Sequence, residues 1–266
     1  MTLAQTTEKI QNKFFRLHNT VLGGSQGKYL CPVCGQRVCF FLKMSVFYAE
    51  NQRKHGYPYS LDDAETQNHQ AYECPHCRAS DRDRLYALYI SKRLRPSDAI
   101  DLLEIAPSKP LSAMLKQYGK ISLRTADLMM PGVDDHIDIT DMACYGEARF
   151  DAFICSHVLE HVPDDAKALR ELHRILKPGG WGILMVPVIP AAEKVDEDPD
   201  LKDEAERWRR FGQYDHIRLY SKKGLLERIA AAGFRTRQYG QDYFGAESFW
   251  RHGLSPKSVL YVVEKQ

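Results

Sequence analysis

Four cysteines in two matched pairs, Cys31-Pro-Val-Cys34 and Cys74-Pro-His-Cys77, have the spacing of metal-binding knuckles. Two intervening residues let both sulfurs of a pair reach one tetrahedral ion while backbone amides turn toward the thiolates. Four thiolates close the shell of a zinc ion, so such a site is structural and ties together a segment with little core of its own. A redox Cys-x-x-Cys would stand singly at a helix start after a strand, and two copies argue against it. His55 or His69, between the pairs, could replace a thiolate, although four cysteines suffice; His76 sits inside the second knuckle. A second chemistry lies in His157-Val-Leu-Glu160-His161. Two imidazoles four residues apart on a helical face could hold zinc, with Glu160 activating water. That arrangement needs several helical turns, and Pro163 follows only two residues later.

The elements around these residues are legible. The apolar run 152–155 is too short for a helix and reads as a buried parallel strand. From the N-cap Asp164 a helix buries Leu169, Leu172, Ile175 and Leu176, and Lys177-Pro178-Gly179-Gly180 stops it. Residues 181–188 form the next strand, completing a right-handed β-α-β unit. Such units place ligands beyond the carboxyl ends of their strands, which here carry Ser156, His157, Glu160 and His161. Upstream, 100–105 is a strand followed by a helix at 109–118, 121–126 is another strand, and 81–94 is an amphipathic helix. Downstream, a helix at 223–232 ends at Gly233, and 235–239 and 258–263 read as antiparallel strands that finish a seven-stranded sheet.

The run Phe150-Asp151, Val158-Leu-Glu-His-Val162, a capped helix, Leu176-Lys-Pro-Gly-Gly180 and a strand resembles the second half of a class I S-adenosylmethionine (SAM) dependent methyltransferase domain, of the type 11-like kind. His157 to His161 also fits the zinc-peptidase pattern His-x-x-Glu-His, the rival reading. The methyltransferase resemblance implies an α/β, Rossmann-like seven-stranded sheet, with SAM lying across the strand ends. It assigns Glu104 to the methionyl ammonium, and Ala106, Pro107 and Ser108 stand where the family has its glycine loop. Asp127 takes the position that grips both ribose hydroxyls. Asp138, with Asp134, Asp135 and Asp141 as alternatives, takes the one that receives the adenine amine, with Ile139 or Leu128 on a ring face; Ser156 borders the same site. The segment Asp215-His216-Ile-Arg218-Leu-Tyr220 matches the family's H-x-R-x-Y/F run; its polar residues either face the acceptor or form a buried network. The implied base is His157 or His216, with His161 behind them. The order of two Cys-Pro-x-Cys knuckles and an Arg-rich helix is similar to bacterial methyltransferases that carry an N-terminal zinc ribbon.

The chain divides into 1–80, a helix at 7–18 followed by the ribbon, and 81–266, the methyltransferase domain, with a charged, lid-like insertion at about 190–212. The 193–210 part of that insertion reads by default as solvated. The glycines at 23–27 make a linker, since Tyr29 stands where a phosphate loop needs Ser or Thr. The aromatic stretch 240–256 either lines the acceptor pocket or caps the sheet edge. Net charge is only +2 on 266 residues, which gives no polyanion signal by itself. Residues 1–95 carry 14 Lys/Arg against 8 Asp/Glu, a modest basic excess. There is no secretion-signal pattern and no run long enough to span a bilayer, so a cytoplasmic protein with no membrane partner is expected. Three functions follow: a methyltransferase acting on a small molecule or glycan, one acting on nucleic acid gripped through the ribbon, or a non-catalytic zinc-ribbon regulator. Nothing in the sequence sets an oligomeric state.

Overall fold

The computed structural model describes residues 27–266; the expected helix at 7–18 and most of the glycine linker lie outside the described residues. A short hairpin, β1 (Tyr29–Leu30) and β2 (Arg37–Val38), frames the first cysteine pair. Helix α1 (Val46–His55) is capped by Ser45 and closed by Gly56 in the left-handed conformation. It buries none of its residues fully, so it has no apolar stripe for a sequence to display. Helix α2 (Asp81–Arg93) opens on a reciprocal capping box between Ser80 and Asp83 and buries Leu85, Tyr86, Tyr89 and Ile90 in the main core.

The next segment alternates strand and helix: β3 (Ala99–Ile105), α3 (Lys109–Gln117), β4 (Lys120–Asp127), β5 (Asp135–His136), β6 (Phe150–Ser156), α4 (Asp165–Ile175) and β7 (Leu176–Met185). A two-stranded ladder of β8 (Asp196–Glu197) and β9 (Arg218–Leu219) encloses α5 (Glu204–Phe211). Then come α6 (Lys222–Ala231), β10 (Arg235–Tyr239), α7 (Gln241–Phe244), α8 (Ala246–Arg251) and β11 (Leu260–Glu264). The large sheet has the order β10-β11-β7-β6-β3-β4-β5, the expected seven-stranded α/β architecture. The strands from β3 to β7 run parallel. Of the two closing strands only β11 opposes them; β10 is antiparallel to β11 and so points the same way as β7.

Asp164 caps α4 as expected, accepting the Lys167 amide at 2.8 Å. The Lys-Pro-Gly-Gly stop behaves differently from the expected turn. Strand β7 already begins at Leu176 and runs through these residues, and Gly179 donates to Lys265 O while Gly180 O accepts from Lys265, so the C-terminal end of the chain pairs with the glycines. At its other end β7 finishes at Met185 rather than 188, because Val188 and Ile189 leave the sheet to pair with Tyr220 and with Glu65 of the front module, residues 27–80.

Phe153 of β6 and Gly182 of β7 are direct register partners, so their side chains share a sheet face. A Cβ on Gly182 would overlap the Phe153 ring, which is fully buried. Gly182→Ala should therefore cost about 1–3 kcal/mol through overpacking. Urea unfolding checks it, and a change under 0.5 kcal/mol would show that the ring can move aside.

The front module is sewn to the sheet rather than loosely attached. Thr66 Oγ1 donates to Val259 O at 2.8 Å, Asn68 Nδ2 to Gly253 O at 3.0 Å, and Lys222 pairs with Glu65 at 2.6 Å. Helix α5 departs from the expected solvated segment: Trp208 is buried and meets Phe47 and His55 of α1. The aromatics of 240–256 cap the sheet edge, with Tyr243 against Tyr239 and Phe249 fully buried, and they do not line the polar pocket that faces the front module, described below. Among the described residues no helix is long and apolar enough to cross a membrane.

Candidate active site

At the tip of β3 the Glu104 side chain is buried, its Oε1 accepting the Ser108 amide at 3.0 Å and its Oε2 the Ser112 hydroxyl at 2.6 Å. Burial raises its pKa to about 7 against the pull of those two hydrogen bonds. Ala106 takes φ +50°, the left-handed conformation a glycine would supply freely. The alanine thus keeps the backbone course of the turn at a strain on the order of 1–2 kcal/mol. His157, at the tip of β6, is left-handed as well, with φ +57°. Two such residues on neighbouring strand tips concentrate strain at one edge of the sheet, where functional sites collect it.

Three cavities meet at this edge. The first, about 250 Å³, is lined by Arg82, Asp83, Tyr86, Glu104, Ala106 and Ser156. Helix α2 supplies three of these, and it is fixed here by Tyr86 Oη to Ser156 Oγ at 2.7 Å and by Ser108 Oγ donating to Asp83 at 3.0 Å. Through Ile105 and Ala106 it adjoins a cleft of about 530 Å³ between Asp127, Leu128, Asp138, Ile139 and His157. Pro107 lines neither. Leu128 and Met129 leave 63% and 83% of their surface exposed at its rim, apolar area that an adjoining ring could cover. Asp127 Oδ1 already accepts the Met129 and Met130 amides at 2.7 Å each, so a bidentate grip would have to share that oxygen.

The acids of the 134–141 loop separate by their partners. Asp134 caps Thr125, and Asp135 holds Arg124 and Tyr145, whereas Asp138, with one oxygen on the Thr140 amide, lines the cleft. Asp141 does not line it.

The third cavity, about 240 Å³, lies between the front module and the tips of β6 and β7. Tyr48, Gln52, Tyr57 and Tyr72 line it from one side, and His157, Glu160, His161 and His216 from the other. His157, His161 and Asp215 also line the 530 Å³ cleft, and Arg82 also lines the 250 Å³ cavity. The front-module residues carry no sequence signal of this role: their only mark is a cluster of tyrosines in a polar stretch.

All three expected base candidates therefore converge on one wall. The segment 157–161 is a left-handed residue followed by a 3-10 turn (Leu159–His161), not the helix a peptidase motif requires. Glu160 is fully buried; His157 Nδ1 lies 3.1 Å from its Oε1, yet neither carboxylate oxygen receives an aligned hydrogen bond. Burial opposes the charge on Glu160, and the surrounding imidazoles outweigh it, leaving the carboxyl below its ordinary range. Burial also pushes His216 down to about 4 and lowers His157, so both imidazoles are neutral near pH 7. The matched segment 215–220 divides its roles. Arg218 is the buried network: it donates to Leu159 O, Val162 O and Pro163 O and pairs with Glu197, which clamps β9 to the 3-10 turn. That clamp, with Ile217 N donating to Glu160 O at 3.0 Å, sets His216 and Asp215 into the pocket wall.

The four cysteines assemble in the front module. Cys31, Cys34, Cys74 and Cys77 sulfurs lie within 4.8 Å of one another, with Cys31 to Cys77 at 3.7 Å and Cys34 to Cys74 at 3.9 Å. Sulfurs about 2.3 Å from a tetrahedral ion stand about 3.8 Å apart, whereas a disulfide needs about 2.05 Å. The set fits a four-thiolate ion. Neither His55 nor His69 joins it; His69 faces Asp62 at 3.7 Å. The small apolar cluster around the cysteines, chiefly Val33, Val38, Phe41 and Ala79, is separate from the main core.

The ubiquinone biosynthesis O-methyltransferase of Alkalilimnicola ehrlichii is 48% identical over 44 residues, 16% of this chain and 18% of that protein. The one from Chromobacterium violaceum is 40% identical over 45 residues, 17% of this chain and 19% of that protein. The chain thus matches less than a fifth of the length of these curated relatives. A solved S-adenosylmethionine dependent methyltransferase from Mesorhizobium loti superposes at a TM-score of 0.46 with 16% identity, covering 69% of this chain and 98% of that one. The model of the family described as methyltransferase domain matches residues 22–239, most of the sequence, and the chain belongs to that family.

Proposed function

We propose that the protein transfers a methyl group from SAM to an oxygen or nitrogen of a small-molecule or glycan acceptor. The observation that carries this reading is the meeting of the three cavities at His157 and Arg82. In it the methionyl end occupies the 250 Å³ cavity, with Glu104 on the ammonium and Arg82 on the carboxylate. The nucleoside occupies the 530 Å³ cleft, with Asp127 at the ribose, Asp138 at the adenine amine, and Leu128 and Ile139 on the ring. The acceptor enters the 240 Å³ pocket. When bound, SAM supplies an activated methyl whose bond to sulfur breaks, the electron pair staying on sulfur, as the new bond to the acceptor forms. His157, shared by pocket and cleft, takes the acceptor proton, while His216 and His161 shape the wall behind it. The front module and α5 close the pocket against water. Among the described residues a single guanidinium, Arg82, and no lysine line that pocket, which suits a compact acceptor better than a phosphate backbone. The four thiolates hold structural zinc, and seven cysteines without a disulfide suit a reducing, cytoplasmic setting.

The test is incubation of the full chain with methyl-labelled SAM and fractionated extract, with calorimetric titration of SAM alongside. Label in a metabolite or glycan is the expected result; label only in RNA would overturn the acceptor class, and no SAM binding would overturn the activity.

Glu104 makes SAM affinity depend on pH. Its folded pKa of about 7 lies above the ordinary 4.5. Protonation is therefore favoured by folding, and the stability this contributes is lost as pH rises from 4.5 through 7. Ammonium binding needs the ionised form, while an α-amino group loses its own proton near 7.7–8.0. Affinity should rise up to tenfold per pH unit below 7 and level off or fall above about 8. Glu104→Gln should remove the lower limb and weaken binding at pH 7.5 by about 10–100-fold, the loss of one charged hydrogen bond. An unchanged pH profile in the variant would remove Glu104 from the site.

A further inference from the structure

The polar end of the acceptor pocket carries a second group of metal-binding side chains, unrelated to the cysteines. One carboxylate oxygen of Glu160 and one ring nitrogen each of His161 and His216 lie within 4.8 Å of one another. Glu160 is completely buried, and among the described residues neither of its oxygens has a hydrogen-bond partner. Buried carboxylates without partners are rare, since burial of an unsatisfied charged group is costly. His157 Nδ1, 3.1 Å from Glu160 Oε1, stands where a neighbour would orient the carboxylate while leaving the other oxygen available. Asp215 Oδ1, also buried and unpartnered, lies on the same wall, and its Oδ2 is 3.7 Å from His161 Nδ1. The three donors come from two chain segments, the 3-10 turn after β6 and the strand entry before β9, which Arg218 locks together.

We propose that Glu160, His161 and His216 bind a divalent transition-metal ion at the polar end of the acceptor pocket. Donors about 2.1 Å from one ion stand roughly 3–3.5 Å apart, so the cluster must draw in by about an ångström. His161, the exposed member, has the freedom to do so. Two imidazoles and one carboxylate select zinc, cobalt or iron-like ions over magnesium or calcium, and three protein ligands leave positions open for an acceptor oxygen. Such an ion would lower the pKa of a bound hydroxyl and fix it beside His157. This role rests on the methyl-transfer reading above; the binding of the ion does not.

Elemental analysis of the full chain, after equilibration with excess Zn(II) and removal of free metal, should give two ions per chain, one at the cysteines and one here. His216→Asn, and the milder His161→Gln at the exposed ligand, should each retain only one, with affinity at the second site weakened at least 100-fold. Co(II) added to protein whose cysteines already hold zinc should give weak d–d absorption without the intense thiolate band, and that absorption should vanish in the variants. One zinc per wild-type chain, or a second ion undiminished in both variants, overturns the proposal. SAM titration separates the two ideas: SAM binding without a second ion sinks only this site, and a second ion without SAM binding sinks only the methyl-transfer reading.

Discussion

Cys74→Ser is expected to release the ion from the cysteine cluster and to unfold the front module before the sheet. The apolar cluster around these sulfurs is small, so the turns that carry the four cysteines depend on the ion for their shape, while hydrogen bonds such as Thr66 to Val259 tie the rest of the module to the sheet. Structural zinc contributes apparent binding energies of about 10–16 kcal/mol in small domains, comparable with the whole stability of an average protein. Elemental analysis should show one ion lost per chain. Thermal unfolding should acquire an early transition that a strong chelator reproduces in the wild type. On the proposed function, acceptor turnover should fall by more than tenfold, because Tyr48, Tyr57 and Tyr72 form one wall of the 240 Å³ pocket. Adenosine binding should survive, since Asp127, Leu128 and Asp138 lie outside the module. A variant that keeps its metal content and melts as a single wild-type transition would show that the four thiolates do not act as a metal site.

The second large effect is expected at Arg84→Met. This guanidinium is fully buried at the joint between the front module and the main domain. Its Nε donates to His252 O at 2.8 Å; one terminal nitrogen reaches Tyr72 O and Ala79 O at 3.0 and 3.2 Å, and the other Ala71 O and Gly253 O at 2.5 and 3.2 Å. The same group lies 3.8 Å over the Phe41 ring. Methionine keeps the apolar stem, ends at about the position of Nε and has no donor, so several buried carbonyls lose their partner at once. A loss of about 3–5 kcal/mol in denaturant unfolding follows. Lysine should not restore it, because three donors on a point charge cannot span the fork that five planar donors fill. A loss below 1 kcal/mol for Arg84→Met would mean that water enters the joint and satisfies those carbonyls.

The helix-strand alternation from 81 to 185 was readable because each element obeys its own period: Leu169, Leu172 and Ile175 recur on one face of α4, and the runs in β3 and β6 are too short to be helices. Element ends were less legible. Lys177-Pro178-Gly179-Gly180 carries every local mark of a stop, but its amides and carbonyls find a partner in Lys265, nearly ninety residues away. Helix α1 is illegible in the sequence for the opposite reason, since it is held by contacts with α5 rather than by an apolar face. In the site, Ala106 shows the limit of reading a loop by residue type. An alanine disfavours the turn a glycine would make, while the surrounding structure holds Ala106 at positive φ and preserves it.

The sequence by itself determined the chemistry available: four cysteines at knuckle spacing, acids at successive strand tips, and histidines clustered after β6. Those follow from residue type and local spacing, which the chain carries without help. Tertiary structure alone decided which of them act together. It spent Asp134, Asp135 and Arg218 on internal contacts, left Asp138 in the cleft, and brought His216 beside Glu160 across more than fifty residues. It also set a wall of tyrosines from the cysteine-bearing segment against the histidines. The physical reason is that a buried polar group must find a partner somewhere in the fold, and which one it finds depends on neighbours that are distant along the chain.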